Sequence, residues 1–350
     1  MTPRLLLCFV LVAAVSACAP DDAGTEVTPV ETPPTSVAVP PDPTELSYAY
    51  PADSTLAYEV TVSQNIAFDA SGDAARFGDA DLPIDADLVT ESEGTTTYTI
   101  SDGPSTDTVS IDISARFPTT RVAGRVNGAT VDNLEEGGVE TDLARIDPVD
   151  ATVIVGPTGR EIEPDVDSTQ VLGADLAALR GLTNELFASL VGPILAPGEE
   201  VGVGDTWETR WSHKGQSGPV NATSMSEIVD FTDGGFVIET RTTTDAYTVD
   251  FSRQFRDLFR NFAELEAEGE ELPEDLLASL ESIRFTISVD ESTSVERAEF
   301  DIARGIIRSS TKSSTMRLSM VFRSPEDDGS LTGFEIALDI EQTAVFRLVE

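Results

Sequence analysis

The sequence predicts a mainly β protein of the α+β type, in which one large curved antiparallel sheet, a half-barrel, carries two or three amphipathic helices. Three observations predict this fold. Apolar and polar residues alternate over long runs, short turn sequences separate the runs, and a few segments change to a helical period. Alternation at every second residue is typical of strands with one buried and one wet face, and short links favour antiparallel pairing.

Five apolar runs with a period of two predict the long strands. The runs consist of Leu56, Tyr58, Val60, Val62, Ile66 and Phe68; Val109, Ile111, Ile113, Ala115 and Phe117; Phe285, Ile287 and Val289; Met316, Leu318, Met320 and Phe322; and Phe334, Ile336, Leu338, Ile340, Ala344, Phe346 and Leu348. Gln64 and Gln342 each interrupt a run. The last run predicts a strand about 50 Å long. The whole chain predicts roughly ten to twelve strands.

Turn sequences lie between these runs. Residues 101–107, 230–236, 301–307 and 324–333 combine Gly with Asp, Ser, Thr or Arg. Asp233-Gly234 is a favoured pair for a tight hairpin. The turns therefore predict hairpins between neighbouring strands.

Two segments, residues 172–191 and 251–267, change to a period of 3.6, and a third short segment, 273–282, begins with Pro273. These features predict three helices. Helices that lie across the opening of a curved sheet would line an apolar cavity. The predicted lining residues are Phe251, Phe255, Phe259, Phe262, Leu186 and Phe187. The alternative is that these side chains pack fully against the sheet.

A sandwich of two sheets is the alternative architecture, because it also buries one face of every strand and needs no cavity. The half-barrel is preferred because a wide sheet of long strands curls, and two or three helices cannot cover it flat.

The first 17 residues predict a secretory signal peptide. Arg4 precedes an apolar run over residues 5–15, and Ser16 and Ala17 are small residues before Cys18. The run is much shorter than the about 20 residues that a permanent membrane helix needs.

Val-Ser-Ala-Cys, ending at Cys18, resembles the lipobox of bacterial lipoproteins. The resemblance implies that the Cys18 sulfur receives a diacylglyceryl group and anchors the mature chain to a membrane. Ala19 rather than Asp follows, which implies the outer membrane of a two-membrane cell, or otherwise the outer face of the cytoplasmic membrane. Cys8 leaves with the signal peptide, so the exported domain has no thiol.

Residues 18–46 are rich in Pro, Thr, Asp and Glu and contain no aromatic residue. Such a composition buries too little apolar area to fold, so we expect a disordered tether after the lipidated Cys18. Residues 47–350 are predicted to form a single β-rich domain.

The chain carries a formal net charge of −41, with 63 acidic and 22 basic residues. A charge this negative repels nucleic acid and anionic lipid surfaces, so nucleic-acid binding is excluded. Residues 69–87 are acidic, but they do not match an EF-hand loop.

The residues for common catalytic chemistry are scarce. His213 is the single histidine, and no Gly-x-Ser-x-Gly or phosphate-binding loop is present. Trp207 and Trp211 would share one strand face, where packing is favoured over sugar stacking. We therefore expect no enzyme activity, no catalytic residues, no metal and no cofactor.

Two short segments resemble exported bacterial proteins. Residues 298–313 resemble a strand–turn–strand piece of half-barrel carriers of lipids and lipoproteins, and residues 193–211 resemble a segment of uncharacterised β-rich lipoproteins. The resemblance implies the half-barrel architecture and supplies no catalytic residues.

Two functions remain open at this stage. The first is a membrane-anchored extracytoplasmic lipoprotein that binds or carries a lipid or another apolar ligand in a cavity between sheet and helices. The second is a structural or protein-interaction lipoprotein of the cell envelope with a filled core. In the second case its partners would be envelope proteins.

Overall fold

The computed structural model describes residues 42–72, 83–132, 149–160, 165–166, 192–196, 198–215, 218–250, 252–253, 256, 282, 284–325 and 331–349. Most of these residues lie in β-strands. The strands are β1 (Thr44–Glu45), β2 (Ser54–Gly72), β3 (Ile84–Asp102), β4 (Val109–Val126), β5 (Ala129–Asp132), β6 (Val149–Gly156), β7 (Gly159–Arg160), β8 (Asp165–Val166), β9 (Glu200–Val201), β10 (Thr206–Gly215), β11 (Gly218–Thr232), β12 (Gly235–Thr244), β13 (Tyr247–Asp250), β14 (Arg284–Val289), β15 (Ser292–Asp301), β16 (Ile306–Pro325) and β17 (Leu331–Leu348).

Fifteen of these strands form one antiparallel sheet, whose main path is β10-β11-β12-β15-β16-β17-β2-β3-β4-β6-β7. Among the described residues, the only other sheet is the two-stranded pair of β1 and β9. The prediction of a mainly β protein with a large antiparallel sheet is therefore confirmed. The sheet is open, because its first and last strands do not pair with each other within the described part of the chain.

The period-two runs predict the long strands correctly. Strand β2 is 19 residues long, β16 is 20 and β17 is 18. At about 3.3 Å per residue, strands of this length extend about 60 Å. Strand β17 pairs with β16 from Arg347 to Leu331 and with β2 from Phe334 to Leu348. Nearly every residue of one strand therefore has a neighbour on the next.

The hairpins predicted at Asp233-Gly234 and within residues 301–307 are also confirmed, the second with its turn at residues 302–305. Gly234 and Gly305 have positive φ angles of 85° and 62°, a conformation that glycine adopts without steric cost. A Cβ atom at Gly305 would lie 2.6 Å from the backbone nitrogen of Ala49, so this turn also requires glycine for a close contact.

Most residues of the three predicted helices lie outside the described residues. Among the described residues, only Ser252, Arg253, Arg256 and Ser282 are helical. The helix predicted over residues 172–191 falls wholly outside it. The described residues therefore do not show the two or three helices of the predicted fold.

The two ends of the sheet path approach each other at one end of the strands. Trp207 Nε1, on β10, donates to the carbonyl of Ile194 at 2.9 Å, and the next residue, Leu195, donates its N–H to Thr158 in the β6–β7 turn at 2.8 Å. Ten strand steps separate β10 from β7 along the sheet. On a flat sheet that is about 48 Å. Two adjacent residues span this gap, so the sheet is strongly curved.

The segment before β2 crosses the same end. Thr44 and Glu45, within the predicted tether, pair with Val201 and Glu200. The N–H of Tyr48 then donates to Pro157, in the β6–β7 turn, and that of Ala49 donates to Gly305. This crossing segment, residues 44–50, links β9 with two distant parts of the large sheet, the β6–β7 turn and the β15–β16 turn. We call the end of the sheet that it crosses the tied end.

The apolar side chains of the sheet lie on one face, the inner face, in two clusters. Cluster 1 occupies the tied end and includes Tyr58, Tyr98, Ile111, Phe236, Phe300 and Phe346. Cluster 2 occupies the opposite end and includes Ile66, Phe68, Phe285, Met320, Phe322 and Leu338. The alternate residues of the long strands point to the outer face, where Glu59, Asp69, Asp87 and Glu91 are exposed.

Candidate functional site

A row of polar side chains crosses the inner face between the two clusters. The strand register places one member on each of eight neighbouring strands. The row is Thr209, Ser224, Thr242, Ser294, Ser314, Gln342, Gln64 and Thr90, each paired with the next. All eight are buried or half-buried. We call this set the polar row.

The polar row explains why the core is divided. On β2, Val62 packs against cluster 1 and Ile66 belongs to cluster 2, and Gln64 lies between them. On β17, Gln342 lies in the same way between Ala344 and Ile340. The two glutamines that interrupt the apolar runs of the sequence are cross-strand partners.

Three members of the polar row form a hydrogen-bonded chain. Thr90 Oγ1 donates to Gln64 Oε1 at 3.0 Å, and Gln64 Nε2 donates to Gln342 Oε1 at 3.0 Å. The chain ends at Gln342 Nε2, which has no hydrogen-bond partner within the described part of the protein, and neither has its neighbour Ser314 Oγ. Gln342 is 3% exposed and Ser314 is 1% exposed. Unpaired polar atoms are rare at this depth, because each costs about 1–3 kcal/mol.

A second polar row lies next to the first, on the side of the tied end. Register places Ser226, Thr240, Glu296 and Lys312 side by side. Ser226 and Thr240 hydroxyls are hydrogen-bonded at 2.8 Å, as are those of Ser224 and Thr242 in the first row. The inner face of β11, β12 and β15 is therefore polar over two successive rows.

Glu296 is the buried ionisable group of this second row. Ser310 Oγ donates to Glu296 Oε1 at 2.8 Å. Burial raises the pKa of the Glu296 carboxyl, although the positive charge of Lys312 and the Ser310 hydrogen bond act in the opposite direction. The carboxyl therefore favours its neutral form more than an exposed glutamate does.

Four buried tyrosines lie on the Glu296 side of the interior. Burial raises the pKa of Tyr48, Tyr50 and Tyr98 well above its usual range, and the charge of Glu296 raises each further. Tyr98 lies four strand steps from Glu296, about 19 Å along a flat sheet. The influence of Glu296 on Tyr98 is consistent with two walls of a curved sheet that face each other.

Three polar side chains at the tied end, those of Tyr48, Tyr58 and Asp301, have specific partners. Tyr48 Oη donates to the carbonyl of Pro193 at 2.8 Å, and Tyr58 Oη donates to that of Ile307 at 2.9 Å. Asp301 accepts from the N–H of Arg304 and, at 2.9 Å, from Nε of Arg308. Burial opposes ionisation of Asp301, but these hydrogen bonds and the Arg308 charge lower its pKa overall.

The amide of Gln342 and the hydroxyl of Ser314, which have no partner in the described residues, can each form a hydrogen bond with another molecule. In the described residues no group of three or more His, Cys, Asp or Glu side chains is arranged to hold a metal ion.

The predicted lining residues Phe251, Phe255, Phe259, Phe262, Leu186 and Phe187 lie outside the described residues, and so does Cys18. Trp207 is buried, with its indole N–H bonded to backbone, which agrees with a packing role. Sequence reasoning missed the polar row as a site. Its only signal was the two glutamine breaks.

Comparison with known proteins leaves the function open. No family model matches the chain, and no curated protein does. Among solved structures, an outer membrane channel of Pseudomonas putida F1 has a TM-score of 0.21 at 9% identity, and covers 86% of this chain and 97% of its own. OccK5 (OpdH) of Pseudomonas aeruginosa has a TM-score of 0.18 at 6% identity, and covers 85% and 99%. TM-scores this low do not indicate a common fold. Among the described residues, no helix is long and apolar enough to cross a membrane.

Proposed function

We propose that this protein is an extracytoplasmic lipoprotein that is anchored through Cys18 and that binds or carries an apolar ligand against the inner face of a half-barrel sheet. The proposal rests mainly on the structure of the inner face. It has an apolar cluster at each end and a buried polar row between them, and within the described residues Gln342 Nε2 and Ser314 Oγ of this row have no partner. A filled structural core satisfies its buried polar groups, whereas a binding surface leaves some of them for the ligand.

The opposite faces of the sheet support the same function. The outer face carries exposed acidic residues such as Glu59 and Asp87, which keep the protein in water. The inner face supplies the apolar area that a lipid needs. Residues 44–50 and 192–196 cross the tied end, so a ligand is expected to enter at the other end.

Ligand content is the direct test. The Cys18→Ser protein, exported and purified without detergent and then extracted with organic solvent, should release a stoichiometric apolar molecule that mass spectrometry detects. Protein that is refolded from denaturant should come back empty and should take up an added apolar dye. An extract without such a molecule, together with no dye uptake, would contradict the proposal.

The anchor has its own test, because it depends only on the lipobox. Cys18→Ser should move the protein from the membrane fraction to the soluble fraction, and labelled palmitate should be incorporated only when Cys18 is present. Cys8→Ser is the matched control and should change neither result. A soluble wild-type protein would contradict the anchor and leave ligand binding untouched.

A structural or protein-interaction lipoprotein is the alternative, and the acidic outer face is the observation that favours it. In that case the interior is filled by the chain itself. Cross-linking in cells should then capture one dominant envelope partner, and the extract of the purified protein should be empty.

A further inference from the structure

We infer that the ligand of the inner face is a neutral long-chain ester, whose carbonyl oxygen accepts hydrogen bonds from Gln342 Nε2 and Ser314 Oγ while hydrocarbon extends on both sides. This inference rests on the proposed function, since it names the ligand class of the same face. It starts from the two unpaired groups in the polar row, which are direct cross-strand neighbours.

The first step concerns what the unpaired groups offer. Gln342 Oε1 already accepts from Gln64, so the amide presents its Nε2 donor. The hydroxyl of Ser314 can donate as well. Side chains directly opposite each other on adjacent strands lie about 4.5–5.5 Å apart at Cβ, so both donors can reach one acceptor oxygen. The complementary group is a carbonyl.

The second step concerns charge. Gln342, Ser314, Gln64 and Thr90 carry no formal charge. A charged headgroup seated here would lose its water without gaining an opposite charge, which is costly. The nearest ionisable pair, Glu296 and Lys312, lies in the next row, and these two residues are already partners across the strands. The site therefore selects a neutral ligand.

The third step concerns what flanks the carbonyl. Along β17, Gln342 is followed by Ala344 of cluster 1 and preceded by Ile340 of cluster 2. The equivalent neighbours of Gln64 on β2 are Val62 and Ile66, which are also apolar and pack in the two clusters. Hydrocarbon is therefore favoured on both sides of the acceptor, as in an ester of a fatty acid with a fatty alcohol, and not at one side only, as in a free fatty acid.

A competition experiment tests this class. The full chain with Cys18→Ser, which needs no detergent, is equilibrated with equal amounts of decyl decanoate and of the hydrocarbon of the same chain length, both delivered from cyclodextrin. The protein is separated by gel filtration, and its bound molecules are quantified by gas chromatography. The ester should be enriched about tenfold over the hydrocarbon, because the hydrogen bonds to its carbonyl should favour its binding by about 1.4 kcal/mol.

Two variants assign the preference. Gln342→Met with Ser314→Ala and Gln64→Met keeps the side-chain volumes and removes both donors, together with the Gln64 amide that would otherwise lose its acceptor and become a free donor. It should bind the two molecules in the supplied ratio. Ser313→Ala with Thr343→Ala removes two hydroxyls from the same two strands on the outer face, and it should keep the tenfold preference. Hydrocarbon bound by each variant shows that its interior is intact.

The outcomes separate the two proposals. Binding of both molecules in the supplied ratio by the wild-type residues would overturn the ester assignment and still support apolar carriage. A preference that survives in the Gln342→Met, Ser314→Ala, Gln64→Met variant would overturn the role of Gln342 and Ser314. Binding of neither molecule would overturn the proposed function and this inference with it.

Discussion

Buried polar groups are treated differently at the tied end and in the middle of the inner face. At the tied end, the hydroxyls of Tyr48 and Tyr58, the indole of Trp207 and the carboxylate of Asp301 all have specific partners. In the middle, Gln342 Nε2 and Ser314 Oγ have none within the described residues. Two further hydroxyls without a partner in the described residues, those of Thr96 and Thr232, lie towards the tied end, opposite Tyr58 and Gly235.

Two carboxyl groups on the same strand show the same contrast. Asp301, at the tied end, has a lowered pKa because hydrogen bonds from Arg304 and Arg308 outweigh its burial. Glu296, five positions earlier, has a raised pKa because burial outweighs its partners. The paired groups of the tied end therefore stabilise the fold, whereas the unpaired groups of the polar row reduce its stability. Removing a paired group such as Asp301 should destabilise the protein, and removing an unpaired group such as the Ser314 hydroxyl should stabilise it.

The largest effect is expected at Asp301. Asp301→Ala removes the acceptor of Arg308 and of the Arg304 N–H, and should lower the free energy of unfolding by about 3 kcal/mol. Arg308 is partly exposed and regains water, which limits the loss. Urea unfolding measures the change. Glu59→Ala, an exposed residue of β2, is the control and should change stability by less than about 0.5 kcal/mol.

The same carboxylate has a predictable dependence on pH. The pKa of Asp301 in the folded protein lies below the ordinary value of 3.8. The stability that the ionised carboxylate contributes is therefore fully present above pH 3.8, and it is lost as the pH falls through the lower pKa of the folded state. The difference in stability between wild type and Asp301→Ala should therefore shrink on acidification. An unchanged difference would show that the loss comes from packing and not from ionisation.

The second effect is expected at Tyr48, which belongs to the crossing segment. Tyr48→Phe keeps the ring contacts with Tyr50 and Phe300 but leaves the carbonyl of Pro193 without its hydrogen bond. The free energy of unfolding should fall by about 1–2 kcal/mol. Near-ultraviolet circular dichroism should stay unchanged, which separates the lost hydrogen bond from a rearranged core. No loss of stability would mean that water replaces the hydroxyl.

Strands and hairpins were predictable because their signals are local. The alternation from Leu56 to Phe68 and from Phe334 to Leu348 marks β2 and β17, and Asp233-Gly234 marks a turn. The polar row was not predictable, because it depends on register between strands far apart in the chain. Gln64 and Gln342 are 278 residues apart, and only long-range pairing brings them together. Glu296 looks like an ordinary acidic residue of a wet strand face until the register places it inside.

The third effect has the opposite sign. Ser314→Ala removes an unpaired buried hydroxyl and breaks no hydrogen bond seen in the described residues, so it should raise the free energy of unfolding of the empty protein by about 1 kcal/mol. Gln342 is left unchanged here, because its Oε1 accepts from Gln64 Nε2. Thermal unfolding of delipidated protein measures the change. Ser313→Ala, on the outer face of the same strand, should show no gain. A loss of stability in Ser314→Ala would mean that this hydroxyl is satisfied in solution.

The smallest effect is expected at Glu296, because Lys312 and Ser310 offset part of its burial. A carboxyl whose folded pKa is raised destabilises the protein when it ionises. Below the ordinary pKa of 4.5, Glu296 is neutral in both the folded and the unfolded chain, and Glu296→Gln should have the stability of the wild type. As the pH rises from 4.5 through the higher folded pKa, the wild type should lose stability relative to Glu296→Gln, and the difference should then stay constant. Melting temperatures of the two proteins between acidic and neutral pH measure this difference in stability. A difference that stays constant over the whole pH range would contradict the raised pKa, and would place the Glu296 carboxylate in contact with water or with the Lys312 ammonium.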